Sequence, residues 1–192
     1  MIRTGIFGGT FNPVHQGHTG LAHRLISDGL FDEIWLNLSP ANPLKESRPG
    51  ATDADRREML SLACEGREGI RPCFVEFSMP RPSYTIDTLQ RLRSYYPDRQ
   101  FKLIIGADNW QIFNKWRSPE KIITDFGVTI YPRPGYEVNP PLPDGVTYLA
   151  GSPVCDISSS EIRAGHHQDL LDPKVQEYIS LHNLYADSKT VK

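Results

Sequence analysis

Short apolar runs alternate with amphipathic stretches along nearly the whole chain. Arg3-Thr4-Gly5-Ile6-Phe7 reads as a buried first strand. After it, Leu21, Leu25 and Ile26 share one helical face while Arg24 and Asp28 fall off it. Glu33-Ile34-Trp35-Leu36-Asn37-Leu38 predicts a second strand. Ser39-Pro40-Ala41-Asn42-Pro43 breaks it into a loop that Lys45, Glu46, Arg48 and Pro49-Gly50 keep polar. Thr52 to Cys64 predicts a helix, capped by Thr52 or Asp53, with Met59, Leu60, Leu62 and Ala63 as its apolar contacts. Ile70 to Phe77 reads as a third strand, with Pro72 near its start, and a helix follows from Ile86 to Tyr95 with Leu89 and Leu92 inward. Phe101-Lys102-Leu103-Ile104-Ile105-Gly106 is apolar enough to be a central parallel strand. Beyond it come a short helical stretch with Trp110, Phe113 and Trp116, a helix opened by Ser118-Pro119-Glu120, and a fifth strand from Gly127 to Tyr131. Val146 to Leu149 is a short last strand. Ser158 and Glu161 have capping-box spacing, and a final helix from Asp172-Pro173 carries Val175, Tyr178 and Ile179 inward.

Strands alternating with helices imply an α/β fold: a Rossmann-like, doubly wound, mostly parallel sheet with helices on both faces. The 192 residues suit one domain spanning 1–192, and the prolines at 140, 141 and 143 read as a loop rather than a linker. In such sheets ligands bind beyond the C-terminal ends of the strands, where strand order reverses. The unusual segments all fall there: Gly8 to His18 after the first strand, Gly106-Ala107-Asp108 after the fourth, Arg133 after the fifth, and Ser158 to Arg163 after the last.

Composition narrows the classes. A net charge of −2 gives no overall basic character to draw nucleic acid. No apolar run approaches the length of a membrane span. Met1 leads straight into the first strand, so no signal peptide is expected. Cys64, Cys73 and Cys155 are odd in number and far apart, which suits reduced intracellular thiols, and no C-x-x-C pair suggests zinc.

The chemistry concentrates in Gly8-Gly9-Thr10-Phe11-Asn12-Pro13-Val14-His15-Gln16-Gly17-His18. Two adjacent glycines let backbone amides approach a ligand where a β-carbon would collide. Pro13 stiffens the loop. The next helix start has unpaired N–H groups and the positive end of a dipole, which suits phosphate. His15 and His18, three apart, can aim two rings at one anion. The spacing matches neither the dinucleotide fingerprint G-x-G-x-x-G nor a P-loop. Arg163 lies early in a helix, where a cation opposes the dipole unless an anion sits nearby. Asp108 either turns the chain or meets a ribose hydroxyl, and either Trp110 or Trp116 can offer a stacking face.

The H-x-G-H loop resembles the signature of the nucleotidyltransferase α/β phosphodiesterase superfamily. Further segments resemble the bacterial nicotinate-nucleotide adenylyltransferases: Pro82-Ser83-Tyr84-Thr85, Ile105-Gly106-Ala107-Asp108, Lys115-Trp116, Arg133-Pro134-Gly135, Ile157-Ser158-Ser159-Ser160-Glu161-Ile162-Arg163, Tyr178-Ile179 and Leu184-Tyr185. The resemblance implies a cytoplasmic enzyme that moves AMP from ATP onto the 5′-phosphate of nicotinate mononucleotide, releasing pyrophosphate, in NAD biosynthesis. It implies that His15, His18 and Arg163 carry catalysis, and that Gly8, Gly9, Thr10 and Phe11 help bind ATP. Gly106 and Asp108 would contact the nucleotide sugars. Arg133, Ile157, Ser158 and Arg163 would hold adenine and the outer phosphates. Thr85 would bind the nicotinate carboxylate, Trp116 would stack on the pyridine ring, and Lys45 would lie near the phosphates on the nicotinate-nucleotide side. Mg2+ would arrive with ATP, with no protein metal site, no nucleic-acid or membrane partner, and homo-oligomerisation left open.

Two departures stand out. Asn12 occupies a position where aspartate is common, and Leu44 one where histidine often precedes the lysine. Two rival readings stay open on sequence: a sister enzyme such as a phosphopantetheine adenylyltransferase, and a non-catalytic nucleotide-binding module on the same fold.

Overall fold

The structure is a computed structural model, and it describes residues 1–40, 50–151 and 157–186. Lys45, Leu44 and Cys155 lie outside the described residues. Six strands form one sheet: β1 (Ile2–Gly9), β2 (Glu33–Leu38), β3 (Ile70–Cys73), β4 (Arg99–Gly106), β5 (Val128–Tyr131) and β6 (Val146–Tyr148). Their order is β3-β2-β1-β4-β5-β6 and every pairing is parallel. The helices are α1 (Gln16–Ser27), α2 (Asp53–Cys64), α3 (Thr85–Tyr95), α4 (Ala107–Gln111), α5 (Pro119–Asp125), α6 (Ser159–Arg163) and α7 (Pro173–Leu181). The doubly wound α/β architecture expected from the alternation is the one observed.

Side-chain alternation along β1 divides the core. Phe7, with Leu36 and Ile104 from its neighbours in register, packs under α1, α2 and α7 through Leu25, Leu60 and Val175. Ile6, with Trp35 and Leu103, packs on the other face under α3 and α5 through Leu89, Leu92 and Ile122. Both faces of the central strands are therefore buried, and β2 is buried along its whole length, including the polar Glu33 and Asn37. Strand order reverses between β1 and β4, so the crevice above their C-terminal ends opens beside Gly8-Gly9 and Gly106.

Most element boundaries match the pattern of the sequence, and β3 does not. It stops at Cys73, and Val75–Ser78 turns into a 3-10 helix where an extended strand to Phe77 is expected. The physical reason is Glu76. Its side chain turns inward and accepts hydrogen bonds from Asn37, Ser83 and Thr88, which draws the backbone away from the ladder. Pro72 is tolerated because β3 is an edge strand.

Candidate active site

The β1–α1 loop ends in an unusual helix cap. His15 is the N-cap of α1, and its Nδ1 accepts the Gly17 N–H at 3.2 Å. Three residues on, the Nδ1 of His18 accepts the His15 N–H at 3.2 Å. Two imidazoles thus form the reciprocal box that serine and glutamate form elsewhere. The arrangement fixes the tautomers. A ring nitrogen that accepts an N–H carries no proton, so in each neutral ring the proton sits on Nε2. Both rings therefore keep one N–H donor on the edge away from the helix, and their centroids lie 3.8 Å apart.

Burial keeps these rings neutral. His15 is 4% exposed. Its pKa is lowered to about 4, first by desolvation and then by the Arg133 charge, with Glu161 opposing. His18 is held well below its ordinary value by desolvation, by His15 and by Arg133. At neutral pH the pair presents two uncharged donors.

The loop before them is tied down from three distant parts of the chain. Arg56 on α2 is 3% exposed, and its Nη1 donates to the Thr10 carbonyl at 2.7 Å and to the Ser39 carbonyl at 2.9 Å. Arg163 Nη1 donates to the Asn12 carbonyl at 2.6 Å, and Ser159 Oγ to the Pro13 carbonyl at 2.9 Å. The Tyr185 hydroxyl donates to Asn12 Oδ1 at 2.6 Å. These bonds hold Phe11 at φ +41, in the left-handed region that costs a residue with a side chain roughly 1–2 kcal/mol. The Phe11 ring in return stands edge-on to His18, with centroids 4.9 Å apart. Local sequence patterns do not show that Arg56, Asn12 and Tyr185 hold this loop, because the Arg56–Thr10 and Tyr185–Asn12 bonds span 46 and 173 residues.

Two cavities meet at this loop and share Phe7 and Tyr131 in their walls. The smaller, about 140 Å³, is lined by His15, His18, Arg133, Ile157, Ser158 and Ser159. The larger, about 270 Å³, is lined by Gly8, Gly9, Thr10, Thr85, Gly106 and Trp116 among others. Together they reach the range usual for small-molecule sites, about 300–1,000 Å³. A β-carbon on Gly8 would touch no protein atom, so its absence leaves room in the cavity rather than in the core. Gly106 differs: a β-carbon there would collide with Asp108 Oδ1 and press on Arg133 and Tyr131. Asp108 Oδ1 is buried, makes no hydrogen bond among the described residues, and faces Arg133 Nε at 3.7 Å.

Most of the sequence-derived set lines the two cavities, but Arg163 is the last residue of the five-residue α6 and not an early one, so its cation sits at the favourable end of the dipole and the helix is too short for the expected conflict. Trp116, not Trp110, lines the larger cavity; Trp110 stacks on Phe113 with centroids 5.2 Å apart. Tyr84 makes no side-chain cap to α3, so the N–H groups of the Thr85 turn keep no side-chain partner of that kind. Ser158 does cap α6, and Glu161 accepts both its N–H and its hydroxyl at 2.8 Å. Arg163 is engaged by the Asn12 carbonyl and by Ser160 Oγ at 3.0 Å. Lys45 lies outside the described residues. No group of three or more His, Cys, Asp or Glu fit to hold a metal is found among the described residues, nor a helix long and apolar enough to cross a membrane.

Fold and site together define an open α/β nucleotide-binding protein whose H-x-G-H histidines line the smaller of two adjacent cavities. Residues 6–165 match the model of the cytidylyltransferase-like family. A protein of Bacteroides fragilis named probable nicotinate-nucleotide adenylyltransferase is 45% identical over 84% of this chain and 80% of its own length. A Bacteroides thetaiotaomicron protein of the same name is 45% identical over 93% and 91%. The chain belongs to the cytidylyltransferase-like family and, within it, to the nicotinate-nucleotide adenylyltransferases. The fold is shared with the Plasmodium falciparum nicotinic acid mononucleotide adenylyltransferase solved in complex with NaAD, at a TM-score of 0.74, 18% identity and coverage of 97% and 98% of the two chains.

Proposed function

We propose that this chain transfers the adenylyl group of ATP to the 5′-phosphate of nicotinate mononucleotide, giving nicotinate adenine dinucleotide and pyrophosphate. The observation that carries this reading is the histidine pair, whose Nδ1 atoms are both engaged in the α1 cap, so that each ring keeps an Nε2–H donor in the wall of the smaller cavity. A phosphate oxygen of the acceptor attacks the α-phosphorus. The new P–O bond forms as the bond to pyrophosphate breaks in line with it. The attacking group is already an anion, so no general base is needed, and depressed histidine pKa values are no handicap. What the reaction needs is preorganised donors for charge on the α-phosphate oxygens, and positioning.

Each cavity then has an occupant. The smaller suits ATP: Ser159 and Ser160 at the start of α6, with Arg133 and Arg163, supply donors and positive charge for its phosphates, and Ile157 and Ser158 flank the adenine. Gly8, Gly9 and Thr10 line the larger cavity next to it and, with Phe11, are assigned to ATP on resemblance. Asp108 Oδ1, buried without a hydrogen-bond donor, suits a ribose hydroxyl. The larger suits the acceptor: Trp116 stacks on the pyridine, and the uncapped start of α3 at Thr85 receives the ring carboxylate. Lys45 is assigned to the acceptor side on resemblance alone. Mg2+, carried on the triphosphate, supplies further neutralisation of the leaving group. The reading treats residues 1–192 as one domain acting in the cytoplasm.

The testing experiment supplies ATP with a panel of acceptor phosphates and measures pyrophosphate release together with the dinucleotide formed. Nicotinate adenine dinucleotide should be the dominant product. Preferential use of phosphopantetheine, or no release with any acceptor, would support the sister enzyme or the non-catalytic module.

A further inference from the structure

Glu76 is a carboxylate, 8% exposed, that no step of the proposed reaction uses. It sits in the 3-10 turn Val75–Ser78 and lines the larger cavity. Its Oε1 accepts from Asn37 Nδ2 at 2.6 Å and from Thr88 Oγ1 at 3.3 Å, and its Oε2 accepts from Ser83 Oγ at 2.8 Å. The three donors belong to separate parts of the cavity wall. Asn37 is the penultimate residue of β2, Ser83 stands just before the N-cap of α3, and Thr88 is in its first turns. Thr85 lies between the last two. A carboxylate buried beside a pocket for an anion is a poor choice unless its charge is locally answered; Asn37 and Ser83 answer it, with Thr88 sharing its one hydroxyl proton between Glu76 and the Tyr84 carbonyl at 3.2 Å. The same three bonds fix where α3 begins relative to β2.

We propose that Glu76 is a positioning residue for acceptor specificity: it clamps the start of α3 to the end of β2, so that the free N–H groups at Thr85 point at the carboxylate of the incoming pyridine nucleotide. The proposal rests on the nicotinate-nucleotide reading above. Glu76 touches the cavity walls and not the reacting atoms, so its loss acts on one substrate. The adenosine side is held by α6, Arg133 and the histidine loop, and the hydrogen bonds of Glu76 go instead to Asn37, Ser83 and Thr88.

The test is steady-state kinetics of Glu76→Ala, Ser83→Ala and Glu76→Gln with ATP, nicotinate mononucleotide and nicotinamide mononucleotide. Removing the clamp in Glu76→Ala should raise KM for the nicotinate nucleotide roughly tenfold or more and narrow the acid-over-amide ratio, with KM for ATP within about twofold. Ser83→Ala, which deletes a single hydroxyl, should move the same constants about threefold. Glu76→Gln keeps an acceptor for Asn37 and Thr88 and gives Ser83 a donor, so it should stay within about threefold of wild type. Equal losses for ATP and acceptor in Glu76→Ala, or nicotinate binding more than about threefold tighter in Glu76→Gln, overturn the proposal. Should Glu76→Ala not fold, an unchanged KM in Ser83→Ala overturns it alone. A wild type that forms no nicotinate adenine dinucleotide refutes the parent reading instead.

Discussion

The Tyr185 hydroxyl donates to Asn12 Oδ1 at 2.6 Å, joining the last described turn of the chain to the loop that carries His15. Tyr185 is 7% exposed, and burial pushes its phenol above the ordinary value, so it remains a donor across the working pH range. The bond also explains Asn12. Its side chain accepts from Tyr185 while its carbonyl accepts from Arg163, so one residue anchors the loop to two later segments. Tyr185→Phe keeps the ring and strands a part-buried acceptor. It should cost about 1–3 kcal/mol of stability and lower kcat about three- to tenfold with little change in either KM. Chemical denaturation and steady-state kinetics check the two effects together.

His18→Ala removes one of the two fixed Nε2–H donors. The loss should be roughly 100–1,000-fold in kcat, in a protein whose circular dichroism is unchanged. Near-wild-type turnover in the folded variant would show that the pair serves only to cap α1.

The depressed histidine values give a signed pH dependence. In the unfolded chain each imidazole takes a proton as pH falls through about 6.5. In the folded protein His15 does so only near pH 4, and His18 is lowered in the same direction. The unfolded state therefore binds more protons in this window, and the stability present above pH 6.5 is lost progressively as pH falls from 6.5 towards 4. Urea denaturation at pH 7.5, 6 and 5 should show that decline, and His15→Gln should flatten it. Over the same range kcat should show no acid limb near 6.5, since the donors stay neutral.

Arg163→Ala should weaken ATP use more than acceptor use. The guanidinium stands on α6, beside the serines of the smaller cavity, and its loss removes charge-assisted bonds worth about 1.5–3 kcal/mol. Arg163→Lys restores the charge without the two-pronged contact, so it should recover ATP binding in part. Equal changes in both KM values would place Arg163 in loop support alone.

The fold was legible because its signals are local. Alternating runs marked β1, β2 and β4, and Ser158 with Glu161 marked the start of α6 three residues apart. The histidine loop was legible for the same reason. What sequence could not display was pairing at a distance. Nothing adjacent to Arg56 says that it reaches the Thr10 carbonyl, and nothing around Tyr185 points to Asn12. Glu76 misled the pattern directly: its apolar neighbours read as strand, while its carboxylate was satisfied by three residues from elsewhere in the fold.

The proposed acceptor for the larger cavity is a pyridine nucleotide bearing a carboxylate. The uncapped start of α3 offers N–H donors to that group, and an amide would turn its own NH₂ against some of them. A site built on hydrogen bonds rejects the wrong group far better than an apolar one, whereas stacking on Trp116 serves both rings alike. The measurement is kcat/KM for nicotinate and nicotinamide mononucleotides, in wild type and in Trp116→Ala. The expected wild-type ratio is at least ~100, about 2.7 kcal/mol, with Trp116→Ala weakening both substrates and leaving the ratio nearly unchanged. A wild-type ratio near one would contradict the assignment of the Thr85 turn and with it the acid specificity.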